Sequence, residues 1–140
     1  MFIMQVKTIK NIEEIKDSLQ LLSEFNDGCN EKIALEQAIG MIKNGYLFGI
    51  VTSADKIIGI TICRAREKLF YGKILQIDEF FIHRSYRGIG VGKMLISWLK
   101  WQAMEASCKN ISCTIGATRK ESQKILSREG FKIEGLFYIK

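Results

Sequence analysis

The sequence contains no proline, and His83 is its one histidine in 140 residues. Without proline there is no proline-rich linker, and no repeat or low-complexity segment divides the chain. A single domain over residues 1–140 is the expectation. One histidine argues against a zinc cluster, and so do the cysteines at 29, 63, 108 and 113, which form no C-x-x-C pair. They read as small buried or half-buried residues in a reducing compartment, and no metal is expected. No apolar run approaches the roughly eighteen residues of a membrane span. The opening Met1 to Lys7 is too short and too soon charged for a signal peptide, so a cytoplasmic protein is the default. The net charge is +6, yet there is no block of like charges and no arginine-rich tail. Without aromatic-basic interleaving, neither nucleic acid nor a membrane is an expected partner. An anionic cofactor remains.

What is present centres on Phe80 to Lys93. An apolar strand leads into a basic, glycine-rich turn, and an amphipathic helix begins at its far end. Val91, Met94, Leu95, Trp98 and Leu99 recur at the spacing of one helical face. A helix N-terminus offers unpaired N–H groups and a dipole that favours negative charge. Gly88, Gly90 and Gly92 remove side chains that would block approach, and Arg87 and Lys93 add positive charge. Together these residues predict a phosphate cradle. It is not a P-loop, because Gly92-Lys93 is followed by Met94 and Arg87 stands where the first glycine belongs. It is not the dinucleotide fingerprint either, because Lys93 occupies the third glycine position.

Elsewhere, strands are expected at about 2–9, 46–52, 57–63, 74–83 and 111–115. Helices are expected after Asn11, which can cap, and over about 31–43, 91 onward and 120–129. Ile12, Ile15, Leu19 and Leu22 mark the first helix stripe, and Asn26-Asp27-Gly28 breaks that helix. Ser53-Ala54-Asp55-Lys56 reads as a hairpin turn, and residues 131–140 as a terminal strand or tight hairpin.

Arg87-Gly88-Ile89-Gly90-Val91-Gly92 fits the pattern Arg/Gln-x-x-Gly-x-Gly/Ala. With Phe81-Ile82 before it, Tyr86 beside it and the order of elements around it, the chain resembles the GCN5-related N-acetyltransferase (GNAT) superfamily. The resemblance covers roughly residues 57–131, where a helix ends in Gly130-Phe131 as in the family's second cofactor segment, opened here by Arg119. It implies an α/β fold: a mixed, mostly antiparallel sheet of six or seven strands flanked by about four helices, in the order β-α-α-β-β-β-α-β-α-β. It also implies acetyl-CoA as co-substrate and an amine as acceptor. The pyrophosphate would rest on main-chain amides around Ile89 to Lys93. The pantetheine arm would pair with the main chain of Phe81, Ile82 and His83.

A neutral amine must attack the thioester, so a carboxylate near this strand is the candidate proton acceptor. Asp78 and Glu79 are placed for it and resemble the acidic pair of the polyamine-acetylating branch. Adjacent strand residues point to opposite faces, so one of the two should face the site. Glu79 is preferred, because it shares strand parity with Phe81; a bulge would reverse that choice. Two acids hint at a cationic acceptor, a small molecule or a lysine-type amine. The chain departs from the family at three places. Leu126 replaces the usual proton-donating tyrosine, Arg119 an asparagine, and Arg84 a proline. Tyr46, Tyr71 and Tyr138 are candidate substitutes for the tyrosine, and nothing in the sequence places them. Leu126 also leaves open a second reading, a CoA-binding module without turnover. The apolar run Leu136-Phe137-Tyr138-Ile139 suits either a buried final strand or a homodimer interface.

Overall fold

The computed structural model describes residues 3–24, 28, 30–116 and 118–140. The elements are β1 (Met4–Thr8), α1 (Ile12–Ser23), α2 (Glu31–Lys43), β2 (Leu47–Ser53), β3 (Lys56–Lys68), β4 (Gly72–Ile82), a 3₁₀ turn (Arg84–Tyr86), α3 (Val91–Glu105), β5 (Asn110–Cys113) and α4 (Lys120–Arg128). The strands form one sheet in the order β1-β2-β3-β4-β5. The first three pairings are antiparallel, and β4 pairs with β5 in parallel. The expected turn at Asn26-Asp27, the strand residue Phe2 and Cys29 lie outside the described residues.

Local chemistry explains most element ends. Asn11 caps α1 by accepting from the Glu14 N–H at 2.9 Å, and Asn30 caps α2 by accepting from the Lys32 and Ile33 N–H groups. The β2–β3 hairpin has a two-residue loop in which Ala54 and Asp55 both take positive φ, 51° and 62°. That matches the right-handed twist of the flanking strands. The α1 stripe is rotated from its expected position. Ile15, Ser18 and Leu21 are buried while Ile12 is half exposed. Ser18 fits because its hydroxyl donates to the Glu14 carbonyl at 2.7 Å, within the helix.

Two apolar layers sandwich the sheet. On one face α3 packs Val91, Leu95, Trp98 and Leu99 onto Ile58, Leu75, Ile77, Phe80 and Ile82. On the other, α1 and α2 cover Phe48, Ile50, Ile60, Ile62 and Phe81. Burying such side chains stabilises by about 1.5–3 kcal/mol each.

Five strands form among the described residues, against the six or seven expected. The missing strand is the terminal one, since residues 131–140 pair with no strand. Phe131 still docks, its N–H donating to the Leu126 carbonyl at 3.0 Å and its ring packing against the core. Beyond it Ile133, Leu136, Phe137, Tyr138 and Ile139 are all exposed. A lone segment gains no ladder bonds, and β5 at that side of the sheet is only four residues long.

Ala54 carries a conformation that disfavours side chains, so Ala54→Gly should raise stability by about 1 kcal/mol. Thermal unfolding should show a Tm a few degrees higher; an unchanged or lower Tm would mean that the loop is not strained.

Candidate active site

One irregularity in β4 builds the site. Ile62 pairs with Glu79 and Cys63 with Ile77, so Asp78 is an extra residue opposite nothing. This bulge changes the parity of the strand. Before it Leu75 and Ile77 face α3; after it Phe80 and Ile82 do. Asp78 and Glu79 lie between these runs and therefore share the opposite face, the one covered by α1 and α2. The expectation that adjacent acids must diverge is corrected here. The preference for Glu79 over Asp78 does not reverse, because the bulge lies before both Glu79 and Phe81.

The two acids nonetheless meet different surroundings. Glu79 lines a cleft of about 530 Å³ together with Leu22 of α1, Phe81, Arg87 and Arg119. Asp78 does not line it; its carboxylate accepts from the Gln76 side-chain amide at 3.4 Å. Burial raises the pKa of both carboxyls. Arg64 and Arg66 pull Asp78 back down, and Arg119 does so for Glu79. Arg119 Nη1 lies 3.4 Å from Glu79 Oε2.

The same bulge opens the sheet. The β4–β5 ladder runs from Ile74 with Asn110 to Ile77 with Cys113. Among the described residues no strand pairs with this edge of β4 beyond Ile77. His83 donates its N–H to the Ile58 carbonyl at 2.8 Å, a ladder bond toward β3. Antiparallel alternation then turns the main chains of Phe81 and Glu79 toward β3, and those of Phe80 and Ile82 toward the open edge. Consistent with this, the Phe80 carbonyl accepts from Arg119 Nη2 and faces the Ser122 hydroxyl at 3.4 Å. Of the expected trio Phe81, Ile82 and His83, only Ile82 presents its main chain to the edge, and Phe80 joins it. Sequence reasoning missed Phe80 because parity follows from pairing, which no residue pattern shows.

His83 has a local role. Its Nδ1 accepts from the Ser85 N–H at 3.1 Å, its carbonyl accepts from the Tyr86 N–H, and its ring meets the Tyr86 ring edge-on at 5.3 Å. It thus caps the 3₁₀ turn that stands where the family has proline.

Downstream, Gly88 and Gly90 adopt φ of +81° and +96°, with nothing within 4 Å of where a Cβ would stand. Gly92 serves differently: a Cβ there would lie 3.1 Å from Ile125 and Ile82, so its absence lets α4 and β4 close on α3. Gly90 is the N-cap of α3 and supplies no side-chain cap, and the first helical bond is from the Met94 N–H to the Gly90 carbonyl at 3.1 Å. The preceding N–H groups of Val91, Gly92 and Lys93 are those that a helix N-terminus offers to an anion. Ile89 and Lys93 are exposed, while the Val91 side chain is core. These features fit a diphosphate-bearing co-substrate whose arm lies along an open strand edge.

Leu126 is the buried residue of α4. No tyrosine lines the cleft: Tyr46 lies under Arg64, Tyr71 sits at the exposed β3–β4 tip under Lys68, and Tyr138 is in the exposed tail. Cys63 and Cys113 are pushed up to about 12 by burial and are not nucleophiles at neutral pH. Among the described residues no three His, Cys, Asp or Glu side chains gather as metal ligands. No helix there is long and apolar enough to cross a membrane.

A sheet split beside a helix N-terminus, with a carboxylate in the cleft between, suits acyl transfer from a diphosphate-bearing co-substrate. The chain belongs to the acetyltransferase (GNAT) family, whose model matches residues 12–131. Solved structures agree in fold. The aminoglycoside N-acetyltransferase AAC(6′)-Iy in complex with CoA superposes with a TM-score of 0.86 at 18% identity, covering 100% of this chain and 96% of its own. A ribosomal-protein-alanine N-acetyltransferase from Brucella melitensis biovar Abortus gives 0.83 at 15%, covering 99% and 98%. A predicted acetyltransferase from Clostridium acetobutylicum, solved with acetyl-CoA, gives 0.76 at 13%, covering 99% and 96%.

Asp78 and Glu79 have folded pKa values above their unfolded ones, so their contribution to stability is complete below the unfolded pKa. It is lost as pH rises through the folded values. Stability should therefore decline across the range just above ordinary carboxylate pKa values. Denaturant melts of Asp78→Asn/Glu79→Gln should show a flatter profile there; a profile identical to the wild type would contradict the assigned shifts.

Proposed function

We propose that this chain transfers the acetyl group of acetyl-CoA to a primary amine by direct attack on the thioester. The observation that carries the reading is the single cleft joining Arg87 of the phosphate turn to Glu79 on the bulged strand. The N–H groups of Val91, Gly92 and Lys93 hold the diphosphate, with Arg87 adding charge from the turn of Gly88, Ile89 and Gly90. The main chains of Phe80 and Ile82 pair with the pantetheine arm. Arg119 borders the arm from the start of α4. Glu79 accepts the proton that the amine sheds, directly or through water, and its raised pKa suits that task. A C–N bond forms, the C–S bond breaks, and the sulfur leaves as thiolate, which water protonates. Asp78 contributes charge at the acceptor side rather than proton transfer.

An amine of cationic or lysine type is the favoured acceptor, since Glu79 lines the cleft and Asp78 lies next to it on the same face of β4. One relative of this fold is named for acetylating aminoglycosides, so amino sugars belong beside polyamines and lysine peptides in a screen. Free thiols at Cys63, Cys108 and Cys113 suit a cytoplasmic location. The buried Leu126 favours one other reading, a module that binds acetyl-CoA without turnover.

Calorimetric titration and a thiol-release assay separate these. Wild type should bind acetyl-CoA, and Gly90→Asp should lose at least about tenfold in affinity, about 1.4 kcal/mol. Glu79→Gln should keep binding and lose about 10²- to 10⁴-fold in rate. Binding that is indifferent to Gly90→Asp would remove the cradle assignment, and absence of turnover with every amine would leave the binding module.

We further propose a homodimer in which the tail from Ile133 to Ile139 packs on a second copy, for these side chains are left in water by the monomer. Light scattering should give twice the chain mass for the full protein and the single mass after truncation behind Phe131. A monomeric full chain would reject this.

A further inference from the structure

Arg119 sits where two functions meet. As N-cap of α4 it makes no side-chain bond to its own helix. Its guanidinium instead reaches across the cleft. Nη2 donates to the Phe80 carbonyl, Nη1 lies 3.4 Å from Glu79 Oε2, and the group stands 5.9 Å from the Phe81 ring centre. The Phe80 carbonyl is an acceptor on the open edge of β4, the group an amide N–H of a paired arm would use. Glu79 is the carboxylate proposed to take the amine's proton. One guanidinium therefore holds both the pairing group of the co-substrate and the base of the reaction.

Resting on the acyl-CoA reading above, we infer that Arg119 is a positioning residue that yields the Phe80 carbonyl to the bound arm and, in moving, releases Glu79 from its ion pair. The hold on Glu79 is the weaker of the two contacts, since 3.4 Å is long for a charge-assisted bond. It depends on the anchor at Phe80, and an arm that takes this carbonyl removes the anchor. Ser122 cannot keep the guanidinium in place, because its hydroxyl faces the same carbonyl. The charge around Glu79 decides the sign of the consequence. Arg119 pulls its proton affinity down; burial and Asp78 push it up. Arg87, Lys120 and Glu121 line the rest of the cleft, while Arg64 and Arg66 act on Asp78. Among the described residues Arg119 is the cation in an ion pair with Glu79, so losing it raises the carboxylate's affinity for a proton as the co-substrate arrives. Where the pH lies above the raised pKa the carboxylate stays ionised and is a stronger base with the thioester in place; where the pH lies below it, the same change is read as proton uptake.

The prediction is proton uptake coupled to binding. Acetyl-CoA is titrated calorimetrically in buffers of different ionisation enthalpy, at a series of pH values above the ordinary carboxylate range, because burial raises Glu79. Wild type should take up more protons than Glu79→Gln, which serves as the baseline for the ligand's own phosphates. Arg119→Gln should lose that excess while binding acetyl-CoA as tightly or more tightly, because no latch must be opened. Arg119→Lys, which keeps the charge without the fork, should fall between. Equal uptake in wild type and Arg119→Gln would overturn the inference. So would Arg119→Gln binding about tenfold more weakly with its uptake intact, since Arg119 would then hold the ligand itself. Wild type that binds with no excess uptake overturns the inference alone; wild type that does not bind overturns the acyl-CoA reading as well.

Discussion

The extra residue at Asp78 shifts β4 from one pleat register to the next, and most of the site follows from that shift. A strand without it would carry Glu79 and Phe81 on the same face as Leu75 and Ile77, against α3. Glu79 would then be a charge in an apolar layer, which costs several kcal/mol unless it is paired. With the bulge, both acids move to the face under α1 and α2, and Phe80 and Ile82 fill the α3 side. The ladder to β5 ends at the same point. One local insertion therefore frees a strand edge and sets a carboxylate beside it.

The helix α3 supplies the second half of the site by geometry rather than by side chains. Its first-turn N–H groups are left without a side-chain cap because Gly90 has none to give. Gly92 lets Ile125 and Ile82 close in beneath, which fixes the helix start against the open end of β4. The polar work of the turn is thus done by backbone, and the side chain of Val91 is spent on the core. His83 and the 3₁₀ turn that it caps join the strand to this cradle without proline.

The glycine turn and the start of α3 were legible in the sequence because glycine spacing and the apolar face of α3 are local patterns, and Arg87 to Lys93 fall where those patterns place them. The hairpin at Ala54-Asp55 and the cap Asn11 were legible for the same reason. Main-chain direction along β4 was not. It depends on which residues pair across the ladder, so Phe80 was overlooked and Phe81 and His83 were credited with an edge that they turn away from. Arg119 showed as the opening of the second cofactor segment and as a departure from the family's asparagine; its reach to Phe80 and Glu79 is a tertiary contact. The tail failed in a different way. Its apolar composition fits a strand, but within one chain it finds no partner to complete the ladder.

Amide hydrogen exchange, read by NMR residue by residue with and without acetyl-CoA, tests most directly that the open edge of β4 is where the co-substrate binds. The account predicts that the Phe80 and Ile82 amides exchange more slowly once acetyl-CoA is added. Phe81 and His83, turned toward β3, should be protected already and change little. Unaltered exchange at Phe80 and Ile82 under saturating acetyl-CoA would contradict the account, for the arm would then lie elsewhere.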